Sequence, residues 1–151
     1  MNPVVRKVFA ELQETCRALA EGATKLRRPM DLFENSPHEA SVCVIEPVDG
    51  GRDWRYTRVG EDLVRFFGVD ATGRLVSEIY DAQKAREGIK LLNQIASTHY
   101  QPRRLQIRYE ADWVSDCSTE NIFVPIPTVN GSGVCILGVL FLSEPEPLSK
   151  A

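Results

Sequence analysis

The first apolar residues of the chain recur at steps of four and three, which is the spacing of one face of a helix. These residues are Val5, Phe9, Leu12, Cys16 and Leu19. With Gly22 as the helix end, the pattern predicts an amphipathic helix over residues 1–22. The stripe spans less than three heptads, which excludes a long coiled coil. It still allows a helix that docks on a sheet or on a second copy of itself.

Residues 23–38 are rich in turn-forming residues and show no regular apolar spacing, so they are predicted to form a linker. After this linker, alternating apolar and polar residues predict strands. The predicted strands cover residues 41–46, 54–59, 103–110, 122–126 and 134–142. The strand at 103–110 alternates cleanly, so we expect it at an edge of the sheet with one face in water. The strand at 134–142 is apolar on both sides, so we expect it in the centre, covered on both faces.

Between the second and third strands the apolar positions take helical spacing. Short helices are predicted around residues 63–67 and 75–80, and a longer one from residue 81 to residue 98. This order predicts an α+β fold, a five-stranded antiparallel sheet with the short helices on one face. The second face needs a cover, and the N-terminal helix is the unassigned apolar stripe, alone or with a second copy. The tail at 145–151 is predicted to be disordered.

Composition and charge narrow the classes of function. The chain has 151 residues, 43% hydrophobic and 26% charged, as in a single globular domain. A net charge of −3 argues against nucleic-acid binding, although Arg103, Arg104 and Arg108 form a basic patch on the predicted edge strand. There is no signal-peptide pattern, and no apolar run approaches the ~20 residues of a membrane helix. We therefore expect a cytoplasmic protein without nucleic-acid or membrane partners.

The cysteines do not form a metal-binding pattern. They are Cys16, Cys43, Cys117 and Cys135. Their spacing contains no CxxC pair, and the chain has only two histidines, so no metal site is expected. Reduced and mostly buried thiols are the expected state of these residues.

Two segments carry a family resemblance, DWRYTRVG at 53–60 and FGVDATGR at 67–74. In them an aromatic-rich strand ends in glycine, a short helix ends in glycine, and a D-x-T-G-R turn follows. The pattern resembles PAS domains, and within them a bacterial family of small, often stand-alone proteins. The resemblance implies a PAS-like domain over residues 39–144, a sensory or protein-interaction role, and an N-terminal helix that serves dimerisation.

The resemblance also raises two cofactors, a flavin that forms an adduct with a reactive cysteine and haem, and neither is expected here. Light-sensing PAS domains need a reactive cysteine in the central helices, and none lies between Cys43 and Cys117. Haem-binding PAS domains need an axial histidine on the helix before the third strand. His99 is near that position, but it stands at the predicted helix end, where a histidine more often meets a helix dipole or solvent.

Apolar and aromatic residues of the helices and strands are candidates to line a cavity for a small apolar or aromatic ligand. They are Phe66, Phe67, Tyr80, Leu92, Ile95, Ile107, Tyr109 and Phe123. The alternative is that they simply fill the core, which is the more common role of aromatic residues at these spacings. If Tyr80 and Tyr109 are buried, their hydroxyl groups need partners and give such a cavity some polar character.

We therefore predict a non-enzymatic sensory or regulatory module that acts through a homodimer and an unidentified signalling protein. The predicted dimer contacts are the five residues of the N-terminal stripe. The alternative is an enzyme with the cone fold of ketosteroid isomerase, which works with Asp and Tyr side chains alone. Asp112, Asp116 and Glu120 are carboxylates near one another in the sequence, but carboxylates around a loop usually serve turns and solubility, and no catalytic residue is predicted. That fold begins with helices packed into the cone and lacks the early hairpin predicted here, so strand order distinguishes the two.

Overall fold

The computed structural model describes residues 3–22, 33, 36–111, 114–128 and 133–142. Its helices are α1 (Pro3–Ala20), α2 (Glu61–Phe67), α3 (Val76–Ile79) and α4 (Ala82–Ala96). Its strands are β1 (Val42–Val48), β2 (Asp53–Val59), β3 (Arg103–Ala111), β4 (Val114–Pro127) and β5 (Val134–Leu142). A helix, a hairpin, three helices and three strands therefore follow one another in the predicted order. None of the helices within these ranges is long and apolar enough to cross a bilayer.

The five strands form one antiparallel sheet in the order β2-β1-β5-β4-β3. The strand that is apolar on both sides, β5, lies in the centre, and the alternating strand β3 lies at an edge, as predicted. The β1–β2 hairpin precedes the helices, which is the arrangement that the PAS resemblance implies. Strand β4 begins at Val114, well before the predicted start at residue 122, because its polar first half pairs with β3 along most of that strand.

One face of the sheet packs against α1. Helix residues Val5, Val8, Leu12 and Cys16 are buried in this core. The sheet contributes Val42, Val44, Ile122, Val124, Ile126, Cys135, Leu137 and Val139. The second apolar face of the sheet is therefore covered, as the sequence pattern requires, and the cover is helix α1 of the same chain.

The opposite face packs against α2, α3 and α4. Its buried residues are Cys43, Ile45, Trp54, Tyr56, Leu63, Ala71, Val76, Ala85, Leu92, Ile95 and Ile136. Trp54 and Tyr56 lie two residues apart on β2 and share this face, as their spacing predicts. A register shift between Val44 and Ile45 marks a bulge in the β1–β2 pairing, where Thr57 is the extra residue.

The predicted dimer contacts on α1 differ in how deeply they are buried within this single chain. Val5, Leu12 and Cys16 are buried against the chain's own sheet, while Phe9 and Leu19 are half-buried. Val8 is buried as well and was not included in the predicted stripe. Dimerisation through this helix stays a prediction.

The predicted linker and tail fall mostly outside the described residues. Within 23–38 the structure describes residue 33 and residues 36–38, and Phe33 is buried in the core beneath α1. That part of the predicted linker therefore belongs to the packed domain. The predicted tail at 145–151 lies outside the described residues.

The D-x-T-G-R segment extends the sheet at the outer edge of β2. The Tyr56 N–H donates to the Arg74 carbonyl at 3.0 Å, and the Gly73 N–H donates to the Tyr56 carbonyl at 2.7 Å. Gly73 has φ +82°, a conformation that glycine adopts without steric cost. Asp70 accepts hydrogen bonds from the Thr72 hydroxyl and N–H, and these bonds lower the pKa of its carboxyl group. The segment thereby covers an edge that would otherwise be open to pairing.

Asn93 of α4 fixes this helix to the β1–β2 hairpin. The indole N–H of Trp54 donates to Asn93 Oδ1 at 3.1 Å, and Asn93 Nδ2 donates to the Gly51 carbonyl at 2.8 Å. Trp54 is only 1% exposed in the folded protein, so Asn93 Oδ1 takes the place of water as the acceptor for its indole N–H.

We expect Asn93→Ala to lower the free energy of unfolding by about 1–3 kcal/mol, because it leaves a buried donor without an acceptor. Urea denaturation followed by tryptophan fluorescence measures this loss. Gln94→Ala, at the exposed neighbouring position, is the control and should change stability by less than about 0.5 kcal/mol. Equal stability of the two variants would contradict a structural role for the Asn93 bridge.

Candidate ligand-binding site

A cavity of about 450 Å³ lies between the sheet and helices α2, α3 and α4. Its lining comes from all five strands and all three helices of this side, with Tyr80 just after α3. The lining residues are Cys43, Ile45, Tyr56, Leu63, Val76, Tyr80, Lys84, Glu87, Gly88, Leu91, Leu92, Ile107, Asn121, Phe123, Gly138, Val139 and Leu140. Most of this lining is apolar, as is typical of sites for small molecules.

The structure brings together half of the residues predicted to bind a ligand. The four that line the cavity are Tyr80, Leu92, Ile107 and Phe123. Ile95 is buried in the same core without lining the cavity, and Phe66 is half-buried outside it. The side chains of Phe67 and Tyr109 lie outside the described part of the chain.

Several lining residues were missed because their side of the sheet depends on strand pairing. Gly138 of β5 lies opposite Cys43 of β1 and Phe123 of β4, and Asn121 lies opposite Leu140. The alternation along each strand was visible in the sequence. Which alternate set faces the helices follows from the register between strands, and the sequence pattern does not report it.

Two glycines lie on opposite walls of the cavity, Gly138 on the sheet and Gly88 on α4. A Cβ atom at Gly138 would lie 2.9 Å from Cys43 Sγ and 3.3 Å from Phe123 Cε1, so the sheet wall has no space for a side chain there. On the facing wall, Gly88 of α4 would place a Cβ atom 3.9 Å from Val76 Cγ1, with nothing closer. Side chains are therefore absent from both walls at positions that line the cavity.

The polar groups of the lining are few. The hydroxyl groups of Tyr56 and Tyr80 lie 3.3 Å apart, within hydrogen-bonding distance. Burial raises the pKa of the Tyr80 hydroxyl, so this group is neutral at physiological pH. The charged lining residues are Lys84 and Glu87, and both are exposed. The buried part of the lining that the structure describes is thus uncharged.

Asn121 is the buried amide of the lining, and it is 1% exposed. Its Nδ2 group lies 2.9 Å from Thr119 Oγ1, 3.3 Å from the Thr119 carbonyl oxygen and 3.5 Å from the Leu105 carbonyl oxygen. Its Oδ1 atom is buried and has no hydrogen-bond partner among the described residues. An acceptor in this state is uncommon in a folded protein.

The fold and cavity can be compared with solved structures. The PAS domain from Bordetella pertussis BvgS matches this chain with a TM-score of 0.58 and 17% sequence identity, covering 77% of this chain and 84% of that chain. This chain has the PAS fold. The predicted fold is therefore confirmed, while membership of a bacterial stand-alone family stays a prediction.

Two other structures with this fold match less well. The PAS domain of an HTR-like protein from Haloarcula marismortui has a TM-score of 0.46 and 20% identity, covering 76% of this chain and 93% of that chain. A light-oxygen-voltage domain, studied with a flavin analogue, has a TM-score of 0.48 and 11% identity, covering 75% and 82%. No protein-family model and no curated protein sequence matches this chain.

His99, the candidate axial ligand in a PAS domain, is exposed and does not line the cavity. Its Nε2 atom lies 3.3 Å from the carbonyl oxygen of Ala20, at the C-terminal end of α1, where the helix dipole is negative. His99 thus contacts the end of a helix. This helix is α1, and not α4, which precedes His99 in the chain. Within the described residues no three His, Cys, Asp or Glu side chains cluster in a way that could hold a metal.

Nothing in the described part of this chain favours the isomerase alternative. Asp112 and the side chain of Asp116 lie outside the described residues. Glu120 lies on β4 next to Asn121, so strand alternation directs it to the face opposite the cavity.

Burial makes the described thiols of this chain poor nucleophiles. It raises the pKa of Cys43 to about 12 and the pKa values of Cys16 and Cys135 to about 11. All three are free and buried, as predicted, and the Cys117 side chain lies outside the described residues. The thiolate is the reactive form, and it is present at about one part in a thousand or less at pH 8 for these groups.

We therefore expect N-ethylmaleimide at pH 8 to leave Cys16, Cys43 and Cys135 unmodified in the folded protein. The same reagent should modify all three after unfolding in guanidinium chloride, which is the internal control. Peptide mass spectrometry assigns the modified positions. Rapid modification of Cys43 in the folded protein would show that solvent and reagent enter the cavity from the β1 side, contrary to its burial.

Proposed function

We propose that this chain is a non-enzymatic sensory PAS module that binds a small, largely apolar or aromatic molecule between its helices and its sheet. The observation that carries the proposal is the cavity itself. This partly open space of about 450 Å³ between the helices and the sheet lies within the range of small-molecule sites. The uncharged inner lining favours a ligand whose buried part is neutral.

The two-sided sheet offers a route from the cavity to α1. On β4, Phe123 lines the cavity, while its neighbours Ile122 and Val124 pack in the core beneath α1. A ligand that shifts β4 on one face therefore also changes the packing of the helix on the other. We infer that α1 reports ligand occupancy to an unidentified signalling protein.

Native mass spectrometry of the purified protein, followed by solvent extraction, tests for a bound small molecule. A variant that fills the cavity provides the comparison. Gly88→Phe places a ring next to Val76 without backbone strain, because Gly88 is an ordinary helical position. Gly88→Ala is the matched control, since it adds a single carbon atom.

Under this proposal the wild type and Gly88→Ala carry or take up apolar ligands, and Gly88→Phe folds but loses them. Thermal denaturation verifies that the filled variant is folded. Retention of the same ligand by folded Gly88→Phe would place the binding site elsewhere. Absence of any ligand, with no stabilisation of the wild type by a panel of apolar and aromatic compounds, would contradict a sensory cavity.

We further propose that the module works as a homodimer through α1. Because Val5, Leu12 and Cys16 pack against the chain's own sheet, a contact that keeps α1 docked relies on Phe9 and Leu19, the half-buried members of the stripe. Light scattering should show a dimer for the wild type and a smaller mass for Phe9→Glu. An unchanged mass for folded Phe9→Glu, or a monomeric wild type, would remove the proposal.

A further inference from the structure

The buried amide of Asn121 has a fixed orientation. Two of the three acceptors around its Nδ2 group are the carbonyl oxygens of Leu105 and Thr119, which cannot donate. Turning the amide over would place Oδ1 against both carbonyls. The third acceptor, Thr119 Oγ1, is itself anchored, since its hydroxyl donates to the Ile107 carbonyl at 3.4 Å. The Nδ2 group therefore faces these three acceptors, and Oδ1 faces away from them.

No described group of the protein supplies a donor to Oδ1. Less than 1 Å² of the atom is accessible, so bulk water does not reach it either. Asn121 nevertheless lines the cavity, between Leu140 opposite it on β5 and Phe123 two residues along the same face of β4. Both neighbours are half-buried apolar lining residues. A ligand that displaces them slightly is the group in a position to reach this acceptor.

We propose that Asn121 Oδ1 accepts a hydrogen bond from the ligand, so that the cavity selects a neutral, largely apolar molecule that carries an N–H or O–H donor. This rests on the proposed ligand-binding function. A ligand of the same shape without a donor fills the apolar space but leaves the acceptor unpaired. The loss for such a ligand is about 5- to 150-fold in affinity, the usual penalty for leaving a buried polar group unsatisfied.

A matched pair of probes isolates this hydrogen bond. Indole is an apolar bicycle with one N–H donor, and 1-methylindole has the same rings with the donor replaced by a methyl group. Isothermal titration calorimetry on the full chain gives both dissociation constants. We expect the wild type to bind indole at least fivefold more tightly than 1-methylindole.

Two variants test whether the preference belongs to Asn121. Asn121→Leu keeps the approximate volume and removes the acceptor, so the ratio of the two dissociation constants should fall to about one. Leu91→Ala, an apolar lining position on α4, is the control. It should weaken both probes and leave their ratio as in the wild type.

A second measurement needs no variant and covers the case in which Asn121→Leu does not fold. The side-chain amide signals of Asn121 in a ¹⁵N-labelled wild-type protein should shift on addition of indole and not of 1-methylindole. Asn121 is assigned by selective labelling together with the backbone assignment. Equal shifts with the two probes would overturn the inference.

The outcomes separate this inference from the proposed function. If both probes bind equally well, the cavity binds apolar ligands and the role of Asn121 is wrong. If indole is preferred and folded Asn121→Leu retains the preference, another group accepts the hydrogen bond and the inference is again wrong. If neither probe binds the wild type, the inference that this cavity selects a donor-bearing apolar molecule is wrong, and the panel of apolar and aromatic compounds decides the proposed ligand-binding function separately.

Discussion

Leu12→Ala is expected to lower the free energy of unfolding by about 2–5 kcal/mol, the usual range for a fully buried leucine. Leu12 is 2% exposed and lies in the core between α1 and the sheet. Alanine is the better helix former, so the substitution does not weaken α1 itself. The loss therefore comes from packing alone, and it measures how strongly the lid is held on the second face of the sheet.

Urea denaturation followed by circular dichroism measures the effect, with Val4→Ala as the control on the same helix. Val4 is 46% exposed, so shortening it should change stability by less than about 0.5 kcal/mol. If Leu12→Ala were no less stable than Val4→Ala, the docking of α1 on its own sheet would be wrong. A second copy of the chain would then be the candidate cover.

Gly60→Ala is expected to destabilise the protein by about 3 kcal/mol or more, at the upper end of the range for overpacking. A Cβ atom there would lie 2.5 Å from the carbonyl carbon of Ala40, and closer still to its oxygen. The obstacle is backbone, which cannot turn away as a side chain can. Gly60 has φ −69° and ψ 157°, which alanine adopts freely, so the whole effect is steric.

Gly88→Ala is the matched control for this substitution. Its added Cβ atom meets nothing closer than Val76 Cγ1 at 3.9 Å, and a helix interior favours alanine over glycine by roughly 0.5–1 kcal/mol. The midpoint temperature of thermal denaturation should therefore fall for Gly60→Ala and rise slightly for Gly88→Ala. A Gly60→Ala protein as stable as the wild type would show that the hairpin and the segment at Ala40 do not approach so closely.

The position of Gly60 shows how a local motif can be recognised before its reason is known. The sequence displayed an aromatic-rich strand that ends in glycine, and that pattern supported the PAS resemblance. The structure supplies the cause, since the Gly60 N–H donates to the Val42 carbonyl at 2.8 Å and the residue starts α2 beside Ala40. The later glycines of the motif, Gly68 and Gly73, have positive φ angles that suit glycine in turns.

The arrangement of the cavity residues was less accessible to prediction. Tyr80, Leu92, Ile107 and Phe123 were found because apolar residues of helices and strands on one side must meet. Cys43 and Gly138 were not found, because they meet only through the pairing of β1 with β5. Asn121 was missed because the predicted strand began only at residue 122, whereas β4 begins at Val114.

The pattern of apolar and polar residues was enough to predict the elements, their order, the central place of β5, the edge place of β3 and the need for a cover on the second face. These follow from periodicity, because a strand without polar alternation is stable only when both of its faces are covered. Two features became apparent only in the folded chain: α1 covers its own sheet, and the cavity under the helices holds an acceptor that has no partner among the described residues. Both depend on side-chain packing and hydrogen bonds between strands that lie far apart in the chain. A local pattern of residues does not specify these contacts.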